Sequence, residues 1–238
     1  MSMDIEVKKM ADSLGADFFG VADLAPAKEA ILAQGGLVVA GFPRAVSIGV
    51  ALPHPIVDQL PNRDQIAVAR LYRHHAYDVI NLRLDHIASR IGSFLQREGH
   101  RTLPIQAAQM VDDEKHLGLV SNKLSAHLSG LGWIGKNCLL VTPENGPRVR
   151  WITVLTEAPL VPTGQSMEVR CGDCRECVDI CPTQAFTGRQ FREDEHRDLR
   201  FDTHKCDRYL EQLKEKMGVG VCGMCLYVCP HGRNGDGT

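Results

Sequence analysis

No apolar stretch in this chain approaches the roughly 18 residues that a membrane-crossing helix requires, so no span is expected. Nor does Met1 to Gly20 show the charged start, apolar core and cleavage site of a secretory leader, which argues against a secreted disulfide scaffold. An excess of either charge is missing too: 27 Lys and Arg stand against 29 Asp and Glu, mixed through both halves, for a formal net charge of −2. A chain that grips tRNA or duplex backbone normally presents a basic face, so nucleic acid is disfavoured as a partner. There is no low-complexity segment. A composition of 44% apolar and 24% charged residues over 238 positions is that of an ordinary globular protein, either one large domain or two small ones.

What the chain has instead is cysteine, nine in all. Cys171-x2-Cys174-x2-Cys177-x3-Cys181-Pro182 is answered by Cys222-x2-Cys225-x3-Cys229-Pro230, and Cys206 stands alone between them. Cys-x2-Cys pairs also hold zinc, but zinc takes four ligands per site and gives no reason for a third cysteine at the next x2 step or for the Cys-Pro ending both runs. A cuboidal [4Fe-4S] core needs thiolates at its corners, and a tight loop with a cysteine every third residue supplies three. In two-cluster ferredoxin patterns the cysteine before the proline ligates the other cluster. Cys171, Cys174, Cys177 and Cys229 are therefore expected at the first site, and Cys181, Cys206, Cys222 and Cys225 at the second. Eight thiolates and two doubly positive cores take the net charge to about −6. Oxygen-sensitive thiolate clusters favour a reducing compartment, so a soluble cytoplasmic protein is expected. Cys138, beside an apolar run, reads as a small core residue.

Hydrophobic periodicity organises the rest. Ile5, Val7, Met10 and Leu14 predict an opening helix stopped at Gly15; a strand follows at Phe18 to Val21, a short helix at Pro26 to Gln34, and a strand at Ala45 to Leu52. The longest helical signal runs from about Asp64 to Glu98, with Ile80, Leu84, Ile87, Ile91 and Leu95 on one stripe. A strand around Arg101 to Ile105, a helix at Asn122 to Leu128, and β-like runs at Cys138 to Thr142 and Val149 to Thr156 complete the first region. Pro143 to Pro147 between those two runs is a hairpin signal. Pro159 to Pro162 suggests a boundary, giving a domain over 1–162 and a cysteine-bearing domain over 163–238. In the latter, Leu210, Leu213 and Met217 mark one face of a helix that begins near Cys206, suited to covering the second cluster.

Three stretches carry a family likeness: Gly130-Leu131-Gly132-Trp133-Ile134-Gly135-Lys136-Asn137, the run Leu155-Thr156-Glu157-Ala158-Pro159-Leu160, and the cysteine pattern with Cys206-Asp207-Arg208-Tyr209-Leu210. With them the chain resembles epoxyqueuosine reductases and is more distantly similar to reductive dehalogenases. The resemblance implies an α+β protein: a nitroreductase-like α/β sandwich domain followed by a ferredoxin-like double [4Fe-4S] module. It also implies an oxidoreductase whose clusters feed single electrons to a cobalamin. On that analogy Gly132, Trp133, Gly135 and Lys136 would lie beside the corrinoid, the glycines allowing close backbone approach and Lys136 meeting an amide or phosphate. A Gly-rich turn between a helix and a strand needs no ligand to justify it, so a purely structural role stays open.

The departures matter. Where epoxyqueuosine reductases carry an Asp-Ser-Ala-Pro stretch with the acid that donates a proton, this chain reads His116-Leu117-Gly118-Leu119. His116 is the candidate donor there, with Asp112, Asp113 or Glu114 as alternatives if the alignment shifts and a solvated loop as the plain reading. The family's Asp-Tyr-His stretch is replaced by His74-His75-Ala76-Tyr77, leaving Tyr77, and Tyr72 before it, as donors of the kind that the dehalogenases use. The chain stops soon after Gly232, without the helical-repeat domain that the family uses for tRNA, which again disfavours a tRNA substrate. The expected electron source is a low-potential ferredoxin or flavodoxin. The alternative function is electron transfer alone, either reactivating a partner corrinoid protein or working with a flavin.

Overall fold

A computed structural model describes residues 2–108, 110–193 and 195–233. In chain order the elements are α1 (Met3–Ser13), β1 (Phe18–Asp23), α2 (Lys28–Gly35), β2 (Arg44–Ala51), α3 (His54–Asp58), α4 (Ile66–Arg73), α5 (Ile80–Arg97), β3 (Thr102–Ile105), α6 (Asn122–Leu128), β4 (Trp133–Ile134), β5 (Leu140–Val141), β6 (Val149–Thr156), α7 (Glu176–Asp179), α8 (Thr203–Met217) and α9 (Met224–Tyr227). The fold is α+β. Among the described residues no helix is long and apolar enough to cross a membrane.

The chain forms two compact units, each assembled from separated segments. Met1–Val50, Ile80–Gly132 and Arg150–Met167 make the first; Ala51–Val79, Trp133–Val149 and Glu168–Thr238 make the second. The single boundary expected at Pro159 to Pro162 is replaced by interleaving, because those residues lie inside the first unit while 51–79 and 133–149 join the cysteine-bearing segment. Composition along the chain cannot show this, since a compact unit is closed by contacts between residues remote in sequence.

The first unit is built on a four-stranded sheet in the order β1-β2-β6-β3. β1 pairs antiparallel with β2 from Phe18 opposite Gly49 to Asp23 opposite Arg44, and β3 pairs antiparallel with β6 from Thr102 opposite Thr156 to Ile105 opposite Thr153. Ala45 to Val50 are all buried, as is β6 from Trp151 onward, so these strands read as continuous runs instead of alternating. On α5 the stripe Ile80, Leu84, Ile87, Ile91 and Leu95 is buried in full. The helix lies close on β3: a Cβ at Gly92 would stand 2.9 Å from the Pro104 ring. Ala22, Leu24, Ile31, Ala45, Ile105, Leu128 and Leu155 share one apolar cluster.

The second unit is built largely from short elements. The helical signal from Asp64 to Glu98 is interrupted: α4 passes into a π-helical stretch at His74–Val79 before α5 begins. The hairpin expected around Pro143 to Pro147 is also corrected. The turn closes on itself, Thr142 and Gly146 exchanging backbone hydrogen bonds of 2.9 Å, but β5 pairs with β4 while β6 belongs to the large sheet. The two-residue β4 is too short to carry a periodicity. Longest in this unit is α8, opened by Asp202 Oδ1 accepting from Lys205 N at 3.0 Å and ended by Gly218 at φ +75°. Leu210, Leu213 and Met217 are half-buried.

Candidate metal centre

Both cysteine runs fold as a tight turn followed by one helical turn. In the first, Cys174 N donates to Cys171 O at 3.0 Å around Gly172, α7 carries Cys177, and Cys181 N donates to Val178 O at 3.3 Å. In the second, Gly223 at φ +67° lets the chain reverse after Cys222, and α9 carries Cys225. Proline after the last cysteine of each run ends the helical turn and sets the next segment extended or in a new turn. Two neighbouring side chains tie the runs down. Lys136 Nζ donates to Gly172 O at 2.7 Å and Cys174 O at 2.9 Å, and Asn137 Nδ2 donates to Cys225 O at 3.1 Å. Arg148, almost wholly buried, pairs with Asp58 at 2.7 Å and reaches Tyr227 O at 3.4 Å, joining α3 to the end of α9.

The thiols gather in two neighbourhoods. Cys171, Cys174, Cys177 and Cys229 line one space of ≈ 330 Å³, part of it open to solvent. Cys206 is electrostatically coupled to Cys222 and Cys181, and Cys225 to Cys222, Cys206 and Cys181. The groups meet, because Cys225 also feels Cys177, and Cys177, Cys181 and Cys225 pack against a common patch formed by Cys138, Val178 and Phe186. Among the described residues no three Cys, His, Asp or Glu side chains close on a single ion. Thiols set around a volume suit the corners of a cuboidal core better than one tetrahedral zinc.

Burial above all, and mutual repulsion after it, opposes ionisation of Cys177, Cys206, Cys225 and Cys229. Cys177 is pushed up to about 12, by burial and then by Cys229, Cys171 and Cys174. Cys206 and Cys229 rise to about 11 for the same reasons, and Cys225 is held well above the ordinary range. Thiolates form here only with a cation to receive them, so the arrangement fits a positively charged core. Donors to sulfur are in place. Ala185 N donates to Cys181 Sγ at 3.4 Å, and the Arg63 guanidinium bonds the Cys222 sulfur. Such hydrogen bonds are among the factors that tune cluster potentials.

The other residues singled out in the sequence are distributed differently. Gly132, Trp133, Gly135 and Lys136 are all buried. Trp133 lies edge-on to His231 at 4.9 Å with Arg170 over its ring at 5.5 Å, a Cβ at Gly135 would stand 3.6 Å from Cys171 Sγ, and the Lys136 ammonium is engaged by the first cysteine loop. Gly135 and Lys136 thus face the first cysteine group. Gly132 O meets His127 Nδ1 at 2.9 Å. His116 belongs to the first unit, in a turn closed between Asp112 and Leu117, at φ +51°. Tyr77 belongs to the second, in the π-helical stretch, its ring beneath Arg73 at 4.9 Å and 6.1 Å from that of Tyr72. Cys138 is core, 4% exposed, with Arg200 donating toward its sulfur at 3.7 Å. Arg63 and Arg200 carry no local signal in the sequence, since a single cation outside the cysteine runs belongs to no motif.

Comparison with known proteins agrees with this site. Residues 170–232 match the family described as 4Fe-4S double cluster binding domain. By sequence the chain is similar to the epoxyqueuosine reductase of Bacillus anthracis, 35% identical over 135 residues, covering 56% of this chain and 34% of that protein. It is also similar to that of Synechococcus sp. (strain CC9605), 32% identical over 188 residues, 73% of this chain and 52% of the relative. The chain therefore spans about a third to a half of the length of these curated relatives. Among solved structures, an epoxyqueuosine reductase superimposes with a TM-score of 0.62 at 20% identity, over 98% of this chain and 66% of the other. A reductive dehalogenase superimposes with a TM-score of 0.70 at 21% identity, over 96% of this chain and 31% of the other.

Proposed function

We propose that this epoxyqueuosine reductase-like 4Fe-4S protein, related in structure to reductive dehalogenases, is an oxidoreductase whose two [4Fe-4S] clusters pass single electrons to a corrinoid. The observation that carries the electron path is the meeting of the two thiol groups at Cys177, Cys181 and Cys225. Cys171, Cys174, Cys177 and Cys229 would hold one cluster and Cys181, Cys206, Cys222 and Cys225 the other, with Cys177, Cys181 and Cys225 packed against one apolar patch. A low-potential ferredoxin or flavodoxin is the proposed source of electrons, because thiolate-held clusters reach down to roughly −700 mV.

The corrinoid rests on the fold's likeness to the reductive dehalogenase, whose structure is described as suggesting a mechanism for B12-dependent dehalogenation. Such a group, when bound, supplies a metal centre that accepts low-potential electrons and turns them to chemistry on a substrate. In the Gly132 to Lys136 run, Gly132, Trp133, Gly135 and Lys136 are buried, and the Lys136 ammonium is engaged by the first cysteine loop. No contact is assigned there. That closure favours a second reading, in which the corrinoid is carried by a partner protein, or a flavin takes its place, and this chain only transfers electrons. For the proton that a reduction consumes, His116 is preferred over Tyr77, whose ring is covered by Arg73.

Anaerobic reconstitution with iron and sulfide, followed by cobalamin titration under reducing conditions, tests the proposal. About eight irons per chain and a stoichiometric change in the cobalamin spectrum are expected. A full iron complement with no cobalamin response would leave the second reading standing. Cys206→Ala is expected to hold about four irons with the first group loaded; retention of all the iron would remove Cys206 from the ligand set.

A further inference from the structure

Lys136 is an unusual place for an ammonium. It is 7% exposed, and the residues lining the space around Cys171, Cys174, Cys177 and Cys229 include Lys136 but no Asp or Glu. It donates to two backbone carbonyls of the same cysteine loop. Carbonyl dipoles orient an ammonium but do not neutralise it, and a buried charge without a counter-charge is costly. The second group has a cation of its own. Arg63 follows the 3-10 turn Leu60–Asn62, and Leu60, fully buried, packs so tightly on the Cys222 loop that a Cβ at Gly223 would stand 2.7 Å from its methyl group. From that turn the guanidinium reaches the Cys222 sulfur, leaving its buried Nε without a protein partner.

We propose that each cluster has a private cation, Lys136 for the first and Arg63 for the second, and that these two positioning residues set the two reduction potentials independently. The proposal rests on the two-cluster reading. Four thiolates on a doubly positive core leave a double negative charge, and uptake of one electron from a donor such as dithionite makes it triple, with no bond made or broken. A fixed positive charge nearby stabilises the reduced form more than the oxidised form and so raises the potential. Lys136 therefore makes the first cluster a better acceptor than its thiolates alone would, and Arg63 does so at the second.

The test is an anaerobic redox titration of the reconstituted full chain, each cluster followed by its EPR signal, with signals assigned in the Cys206→Ala protein. Lys136→Gln keeps hydrogen-bonding capacity and removes the charge; it should lower the first midpoint by a factor of about ten or more in the one-electron equilibrium, about 59 mV, and leave the second unmoved. Arg63→Gln should do the reverse, and Lys136→Arg should restore the first midpoint. Unchanged midpoints in fully loaded neutral variants, or both clusters moving together, would overturn the proposal. Should Lys136→Gln lose the first cluster, full loading and a near-native midpoint in Lys136→Arg supports the need for charge, and loss in both overturns it. Failure of the unaltered chain to take up iron and sulfide would instead sink the two-cluster reading.

Discussion

The two units keep their shape by different means. The first has a sheet whose inner strands are buried throughout and a long helix with a complete apolar stripe, so burial of side chains is enough to hold it. In the second, α7 and α9 are four residues each, α8 has no fully buried residue, and eight thiols are gathered where their ionised forms repel. Four-residue helices are not stable by themselves. The contrast teaches that one chain can specify a core by hydrophobic pattern in one unit and by metal ligation in the other.

Removing the clusters should break the comparison most. Anaerobic chelation is expected to lower hydrogen-exchange protection around 171–181 and 222–229 without unfolding those segments, while sparing β1, β2, β3 and β6; equal loss in both would mean that the metal holds the whole chain. The cluster-free form should also respond to pH. Its buried thiols are pushed up to about 11 or 12 when folded, against an ordinary value of 9.0. The unfolded chain therefore sheds protons first, and stability falls as pH rises from about 9 to about 12. The loaded protein, its thiolates already formed, should lack that slope, which chemical denaturation at pH 8 and 10 would reveal.

Next in size is Leu95→Ala, at a fully buried position on α5. A loss of about 2–5 kcal/mol is expected in the first unit, with iron content unchanged. Gly146→Ala acts on the second unit alone. Gly146 sits at φ +55°, and a Cβ there would clash with the Gly232 backbone, so the Cys229-Pro230 turn must shift. A cost of about 1–3 kcal/mol with weaker retention of iron at the first site is expected, measured by denaturation and by iron release to a chelator. The smallest effect belongs to Asp202→Ala, which removes the cap of α8 near Cys206. About 1 kcal/mol is expected, with the second cluster released faster than the first.

Much of the first unit was readable residue by residue. The helix at Asn122–Leu128 and the strand at Val149–Thr156 have the bounds that the pattern predicts, and the α5 stripe is buried as expected. Apolar periodicity reports burial directly, so long elements with a buried face announce themselves. β4 went unread because two residues carry no period, and the Pro143 to Pro147 turn misled because a turn fixes a reversal of direction but not which strands pair after it. The π-helical stretch at His74–Val79 has no signature in hydrophobic pattern at all.

The sequence by itself determined that the cysteine-bearing segment is a 4Fe-4S double cluster binding domain, because cluster geometry restricts which cysteine spacings can serve and the spacing within each run is local. It also determined the core of the first unit, since burial follows side-chain chemistry at a fixed period. Only the tertiary structure decided that 51–79 and 133–149 belong with the cysteines, that Lys136 turns to Gly172 and Cys174, and that Arg63 reaches Cys222. Those contacts join residues far apart along the chain, and a lone charge acquires its partner only when the fold has closed around it.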